Sequence, residues 1–118
     1  LSYSVRRGVP LKSAASTVNG NEPGVYILRL DRRLMKVGSA EIGVQKRMQQ
    51  YYGLNTSCGL NDYIKENNRD KIYVTWQACP KDKCNELESK LFEKYSHEEM
   101  PWASRRPNNT DDTWELLI

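Results

Sequence analysis

The stretch Gly24-Val25-Tyr26-Ile27-Leu28-Arg29-Leu30-Asp31-Arg32-Arg33-Leu34-Met35-Lys36-Val37-Gly38-Ser39 decides the fold. Pro23 and Gly24 open it, β-branched and aromatic residues follow to Leu30, a polar trio interrupts at 31–33, and apolar residues resume over 34–38. Two strand-forming runs around a short turn make a β-hairpin. Side chains alternate between sheet faces, so the length of the turn decides which residues share a face. A three-residue turn places Tyr26, Leu28 and Lys36 together; a two-residue turn puts Tyr26 and Lys36 on opposite faces.

Working outward, residues 39–52 read as a helix with Val44, Met48, Tyr51 and Tyr52 as its apolar stripe. Arg47 lies at the edge of that stripe, four residues before Tyr51 and therefore beside it. Residues 53–70 are polar and loop-like, with a short helical stretch expected around 61–67, and residues 71–77 form a third strand. Asp82 is placed as N-cap of a helix to about Ser96, with Cys84, Leu87, Leu91, Phe92 and Tyr95 as its stripe. Pro101 and Pro107 bracket a loop, and 113–118 is a candidate closing strand. Residues 1–23 read as a basic N-terminal arm with a short edge strand near Tyr3–Val5, and 24–118 as the domain. The expected fold is an α/β (α+β) sandwich: a largely antiparallel three-stranded sheet from the hairpin 24–38 and strand 71–77, flanked by helices 41–52 and 82–96.

A chain of 118 residues fits one domain. It begins at Leu1, as expected of a processed product, a trimmed piece or part of something longer. No apolar run approaches the roughly 20 residues that span a bilayer, and no signal peptide is visible, so an intracellular location is expected. The net charge is +3, unevenly spread: residues 1–53 hold nine Lys and Arg against three acidic residues, and 54–118 hold nine against twelve. A basic half suits a polyanionic partner. Arg6, Arg7, Lys12, Arg32, Arg33, Lys46 and Arg47 are the candidate DNA contacts. Three cysteines (Cys58, Cys79, Cys84) and one histidine, His97, read as free thiols and a surface group, since no second ligand pair completes a zinc site.

Glu88 does not belong where it falls. At about 100° per residue it lies within the apolar arc of its own helix, between Cys84 and Phe92, whereas Glu86 and Glu93 lie on the opposite side. A carboxylate there is costly unless it pairs with Arg or Lys, reaches the solvent edge, or ligates a metal. Tyr26, Lys36, Arg47 and Tyr51 are likewise polar groups on or beside core-facing surfaces, and the five together suggest a site on a rigid platform.

On these residues the sequence resembles the GIY-YIG nuclease superfamily over roughly 24–118. Gly24-Val25-Tyr26 looks like the first motif and Lys36-Val37-Gly38-Ser39 like the second, with Lys in place of its Tyr. Arg47 matches the motif arginine, Tyr51 takes the place often held by His, and the run from Leu87 to Tyr95 resembles the helix bearing the metal-binding glutamate. Thr113-Trp114-Glu115-Leu116 is similar to the closure of short phage and fungal members. The pairing of Lys36 with Tyr51 is similar to a restriction-endonuclease branch. The interval from Lys36 to Arg47 is one residue longer than usual, absorbed at Gly43, and the family's later Asn has only Asn108 and Asn109 as candidates.

The resemblance implies a metal-dependent DNA endonuclease. Glu88 would hold Mg²⁺ (or Mn²⁺), Arg47 would bind a phosphate oxygen, Tyr26 would take the proton of the attacking water, and Lys36, helped by Arg47, would lower the Tyr26 pKa. Tyr51 would orient its neighbours. Cutting two strands would favour a homodimer. A catalytically inactive nucleic-acid-binding module on the same fold is the alternative, and an α/β interaction domain with Glu88 in a buried ion pair is a third.

Overall fold

The computed structural model describes residues 5–16, 21–54, 63–102 and 116–118. Its elements are β1 (Val5–Pro10), α1 (Leu11–Ala15), β2 (Gly24–Leu30), β3 (Arg33–Ala40), α2 (Val44–Tyr52), β4 (Ile72–Ala78) and α3 (Cys84–Lys94), with single 3-10 turns at Arg69–Lys71 and Lys81–Lys83. The strands form one antiparallel sheet in the order β1-β4-β2-β3. The mixed α/β sandwich is as expected, with four strands rather than three.

The additional strand, β1, comes from the segment read as an arm. Its two-residue period is broken by a bulge between Arg6 and Val9, where Gly8 takes φ +60°, so the alternation that marks a strand is lost from the sequence. Leu11, Ala14 and Ala15 of α1 are buried in the core. Residues 5–15 are thus built into the sheet and core and are not a free arm. The short helix expected around 61–67 falls partly outside the described residues; from Tyr63 onward the chain is turns up to the 3-10 turn at Arg69–Lys71. Of the expected closing strand, only 116–118 are described, and they are not in a strand. Asp82 lies in the 3-10 turn before α3 and does not cap it.

The hairpin settles the question of parity by an unexpected route. Its turn holds two residues, Asp31 and Arg32, both with positive φ (51° and 70°), the backbone of a type I′ turn. Unmodified, that turn would separate Tyr26 from Lys36. The register shifts between Leu28, opposite Lys36, and Arg29, opposite Leu34, so Met35 is the extra residue. The bulge restores the even pairing, with Tyr26 opposite Gly38 and Leu28 opposite Lys36. The Met35 carbonyl accepts the Trp102 N–H at 2.9 Å, and its side chain is buried.

β2 is buried on both faces, as a near-continuous apolar run at the centre of a two-sided sheet should be. Tyr26 and Leu28 join Val74, Trp76, Val44, Met48 and Tyr51 in a core under α1 and α2. Val25, Ile27 and Val37 join Leu87, Leu91 and Cys84 in a second core under α3. Tyr52 packs half-buried against the same core as the rest of the α2 stripe; its hydroxyl donates to Asp70 at 2.8 Å and Arg69 stacks over its ring. Cys79 and Cys84 are free and buried, with their sulfurs 3.5 Å apart; Cys58 lies outside the described residues.

α2 begins at Val44, later than the expected 41, because Gly43 at φ +113° interrupts the helical backbone. A glycine offers no capping side chain, and Asn21 supplies one from a distance. Its amide nitrogen donates to the Ile42 carbonyl at 2.6 Å and its oxygen accepts the Lys46 N–H at 2.8 Å, while the Val44 N–H reaches the Glu22 carbonyl. A Cβ at residue 43 would run into the Asn21 side chain. Asn21→Ala is expected to cost about 1 kcal/mol, the usual loss of a cap, and Gly43→Ala more, since strain and collision add. Urea unfolding midpoints test this; three equal midpoints would show that this clamp does not hold the start of α2.

Candidate active site at the edge of the sheet

β3 is an edge strand, and the polar residues singled out from the sequence gather along it from both faces. Tyr26 projects from β2 beneath α2 and is buried, 1% exposed. Opposite it on β3 stands Gly38; a Cβ there would lie 2.6 Å from the Tyr26 hydroxyl oxygen and 2.7 Å from the ring carbon bearing it. The Tyr26 ring therefore lies across Gly38, and only the missing side chain lets its hydroxyl reach the outer strand. There it meets the hydroxyl of Tyr51 at 2.5 Å, the two rings packing edge to face with centroids 6.1 Å apart.

The next residue, Ser39, points to the other face, toward α3, and its hydroxyl donates to Glu88 Oε1. Glu88 is half-buried. It lies beside the buried line of Cys84, Leu87 and Leu91, between Cys84 and half-buried Phe92 as read from the sequence. Glu86, read as solvated, is also half-buried, with Oε2 3.7 Å from Lys83 Nζ. Gly38 and Ser39 thus join the two halves: the first admits Tyr26 from one face, the second holds Glu88 on the other. Neither was singled out from the sequence, although strand parity places them on opposite faces once the register is known.

Arg47 is half-buried on α2, one turn before Tyr51, and its Nε is buried with no hydrogen-bond partner among the described residues. Lys36 is half-buried on the Tyr26 face, two residues before Gly38. Burial drives the Tyr26 pKa well above the ordinary tyrosine range, reinforced by Tyr51 and to a smaller extent by the Glu88 charge; the Arg47 guanidinium opposes them. Arg47 is a cation felt by Tyr26.

The remaining candidate DNA contacts do not gather here. Arg6 and Arg7 lie on β1, three strands from β3 and hence about 14 Å away at the usual strand spacing. Arg7 holds the Leu117 carbonyl at 3.0 Å, and Arg33 is ion-paired with Glu99 at 3.1 Å. Lys12 and Arg32 are exposed on α1 and the hairpin turn, and exposed Lys46 adjoins Arg47 on α2. Asn108 and Asn109 lie outside the described residues.

Among the described residues no cluster of three or more His, Cys, Asp or Glu side chains could enclose a metal ion. What the edge offers is one carboxylate, Glu88, beside the Ser39 hydroxyl. That all-oxygen set fits a hard cation such as Mg²⁺, which binds through one or two carboxylates and completes its shell with water and phosphate oxygens. It does not fit a closed zinc site. No helix among the described residues is long and apolar enough to cross a membrane. No protein-family model, curated protein or solved structure matches the chain.

Two outcomes follow from the Tyr26 geometry. Gly38→Ala should displace the ring and break its bond to Tyr51, at about 1–3 kcal/mol, the common cost of overpacking. The raised Tyr26 pKa favours the protonated phenol in the folded state, so its contribution is complete below the unfolded value near pH 10 and is lost as pH rises toward the folded value. Wild-type stability should therefore fall above about pH 10 more steeply than that of Tyr26→Phe. Urea midpoints across the alkaline range measure this, and parallel curves would mean that the Tyr26 hydroxyl is not held protonated.

Proposed function

We propose that the chain is a metal-dependent DNA endonuclease of the GIY-YIG type, hydrolysing phosphodiester bonds at the edge of β3. The observation that carries this reading is the convergence of Tyr26, Tyr51 and Arg47 from one sheet face with Glu88 from the other. A packed core has no use for such a meeting, whereas hydrolysis needs a proton acceptor, a cation for the phosphate and a ligand for a metal.

Arg47, half-buried on α2, binds a non-bridging phosphate oxygen through its guanidinium. Tyr26 takes the proton of the attacking water. In the resting protein its hydroxyl keeps its own proton, so only a small phenolate fraction reacts and activity climbs with pH. Tyr51, within hydrogen-bond reach, donates to the Tyr26 oxygen and steadies the phenolate. Glu88, with its carboxylate beside the Ser39 hydroxyl, would hold Mg²⁺ or Mn²⁺. Such a cation, when bound, would supply Lewis-acid stabilisation of the phosphoryl and leaving oxygens. Lys36 and Lys46 serve the phosphate backbone as salt-sensitive contacts.

One observation favours a second reading, a nucleic-acid-binding module that does not cut: the same burial that places Tyr26 opposes its ionisation. Nicking of supercoiled plasmid with Mg²⁺, Mn²⁺ or EDTA separates the two. The nuclease should nick with either metal and not with EDTA. Glu88→Gln should abolish cleavage while DNA binding remains, and Tyr26→Phe should slow it by about 10²–10⁴. Between neutral pH and the Tyr26 pKa the rate should rise about tenfold per pH unit, as for a base that is mostly protonated. Binding without cleavage under every condition would favour the module, and a Tyr26→Phe enzyme at near-normal rate would remove Tyr26 as the base.

A further inference from the structure

We propose that Ser39 is the positioning residue that holds the Glu88 carboxylate in place to receive a divalent cation, an inference that rests on the nuclease reading. Glu88 stands on the margin of α3, half-buried, on the sheet face opposite Tyr26. A glutamate there has three side-chain torsions to settle, and the α3 stripe does not fix them, because its buried centre passes through Leu87 and Leu91. The Ser39 hydroxyl does fix them by donating to Oε1.

The identity and position of the donor both matter. A hydroxyl is neutral, so it orients the carboxylate without cancelling the charge that a cation needs; Lys or Arg at residue 39 would compete with the metal. An ionised carboxylate has about four acceptor sites, and one bond from Ser39 leaves the rest available. Ser39 also directly follows Gly38, the residue over which the Tyr26 ring lies. One peptide unit of β3 therefore sets the carboxylate against the Tyr26 hydroxyl, and a loosened Ser39 would leave Tyr26 in register while the metal ligand drifts. Groups that orient metal ligands in this way typically contribute 10–100-fold in affinity.

The test measures Mn²⁺ binding to the full chain through loss of the free-ion EPR signal, together with urea stability. Glu88→Gln should remove the binding. Ser39→Ala should weaken it by about 10–100-fold while the Tyr26–Tyr51 side keeps its alkaline stability profile, and Ser39→Thr, which keeps the hydroxyl on a strand-favouring residue, should restore it. If Ser39→Ala binds Mn²⁺ like wild type while Glu88→Gln does not, or if Ser39→Thr is as weak as Ser39→Ala, the Ser39 inference is overturned and the nuclease reading stands. If wild type binds no Mn²⁺, or Glu88→Gln binds it equally well, the metal reading itself fails and the role of Ser39 goes with it.

Discussion

One extra residue in β3 fixes the arrangement on which the rest depends. The two-residue turn at Asp31 and Arg32 taken alone would set Lys36 and Gly38 on the α3 side of the sheet and Ser39 on the α2 side. Tyr26 would then face the Val37 side chain with no path to the strand edge, and Glu88 would face a glycine with nothing to donate. Met35 takes up the odd residue, and the Trp102 N–H takes up the carbonyl that the bulge exposes. A slip of one residue reverses every face of a strand, so this local irregularity is a requirement of the site.

The second constraint is electrostatic. Two buried phenols in contact resist ionisation strongly, and Glu88 adds to that resistance while Arg47 works against it. The balance concentrates on one oxygen, the Tyr26 hydroxyl, so whatever alters the charge of either neighbour is read there first. An anion seated against Arg47 would screen the opposing cation, and a cation on Glu88 would screen the reinforcing anion. Tyr26 is thus sensitive to charge bound on either side of the sheet, through groups that approach it from opposite faces.

The sequence made the hairpin, α2, β4 and α3 legible because each has a long, clean apolar period. β1 was expected only as a short edge strand near Tyr3–Val5, because Gly8 adds a residue to it and the alternation disappears beyond. Tyr26, Arg47, Tyr51 and Glu88 could be picked out as polar groups on apolar faces, and spacing alone puts Arg47 beside Tyr51. Gly38 and Ser39 could not, because a missing side chain and a small hydroxyl acquire meaning only when the register is known. The assignment of Lys36 as a cation near Tyr26 followed from a shared face, and the face is shared; the helix above adds the Arg47 charge. A single basic surface was expected from the charge of the N-terminal half, but strand order sends Arg6 and Arg7 to the far edge.

The same irregularities bear on how copies of the chain can associate. A sheet with two free margins is a template for strand addition, and irregular edges that break the regular ladder are a known defence. Here both outer strands are irregular: β1 is bulged at Gly8 and ends in Pro10, which has no N–H to offer, and β3 is bulged at Met35. Neither margin presents a long regular row of donors and acceptors to a second molecule. Growth by edge-to-edge pairing is disfavoured on both sides, and any assembly of this chain has its helical layers as the surfaces to work with, leaving the β3 margin open.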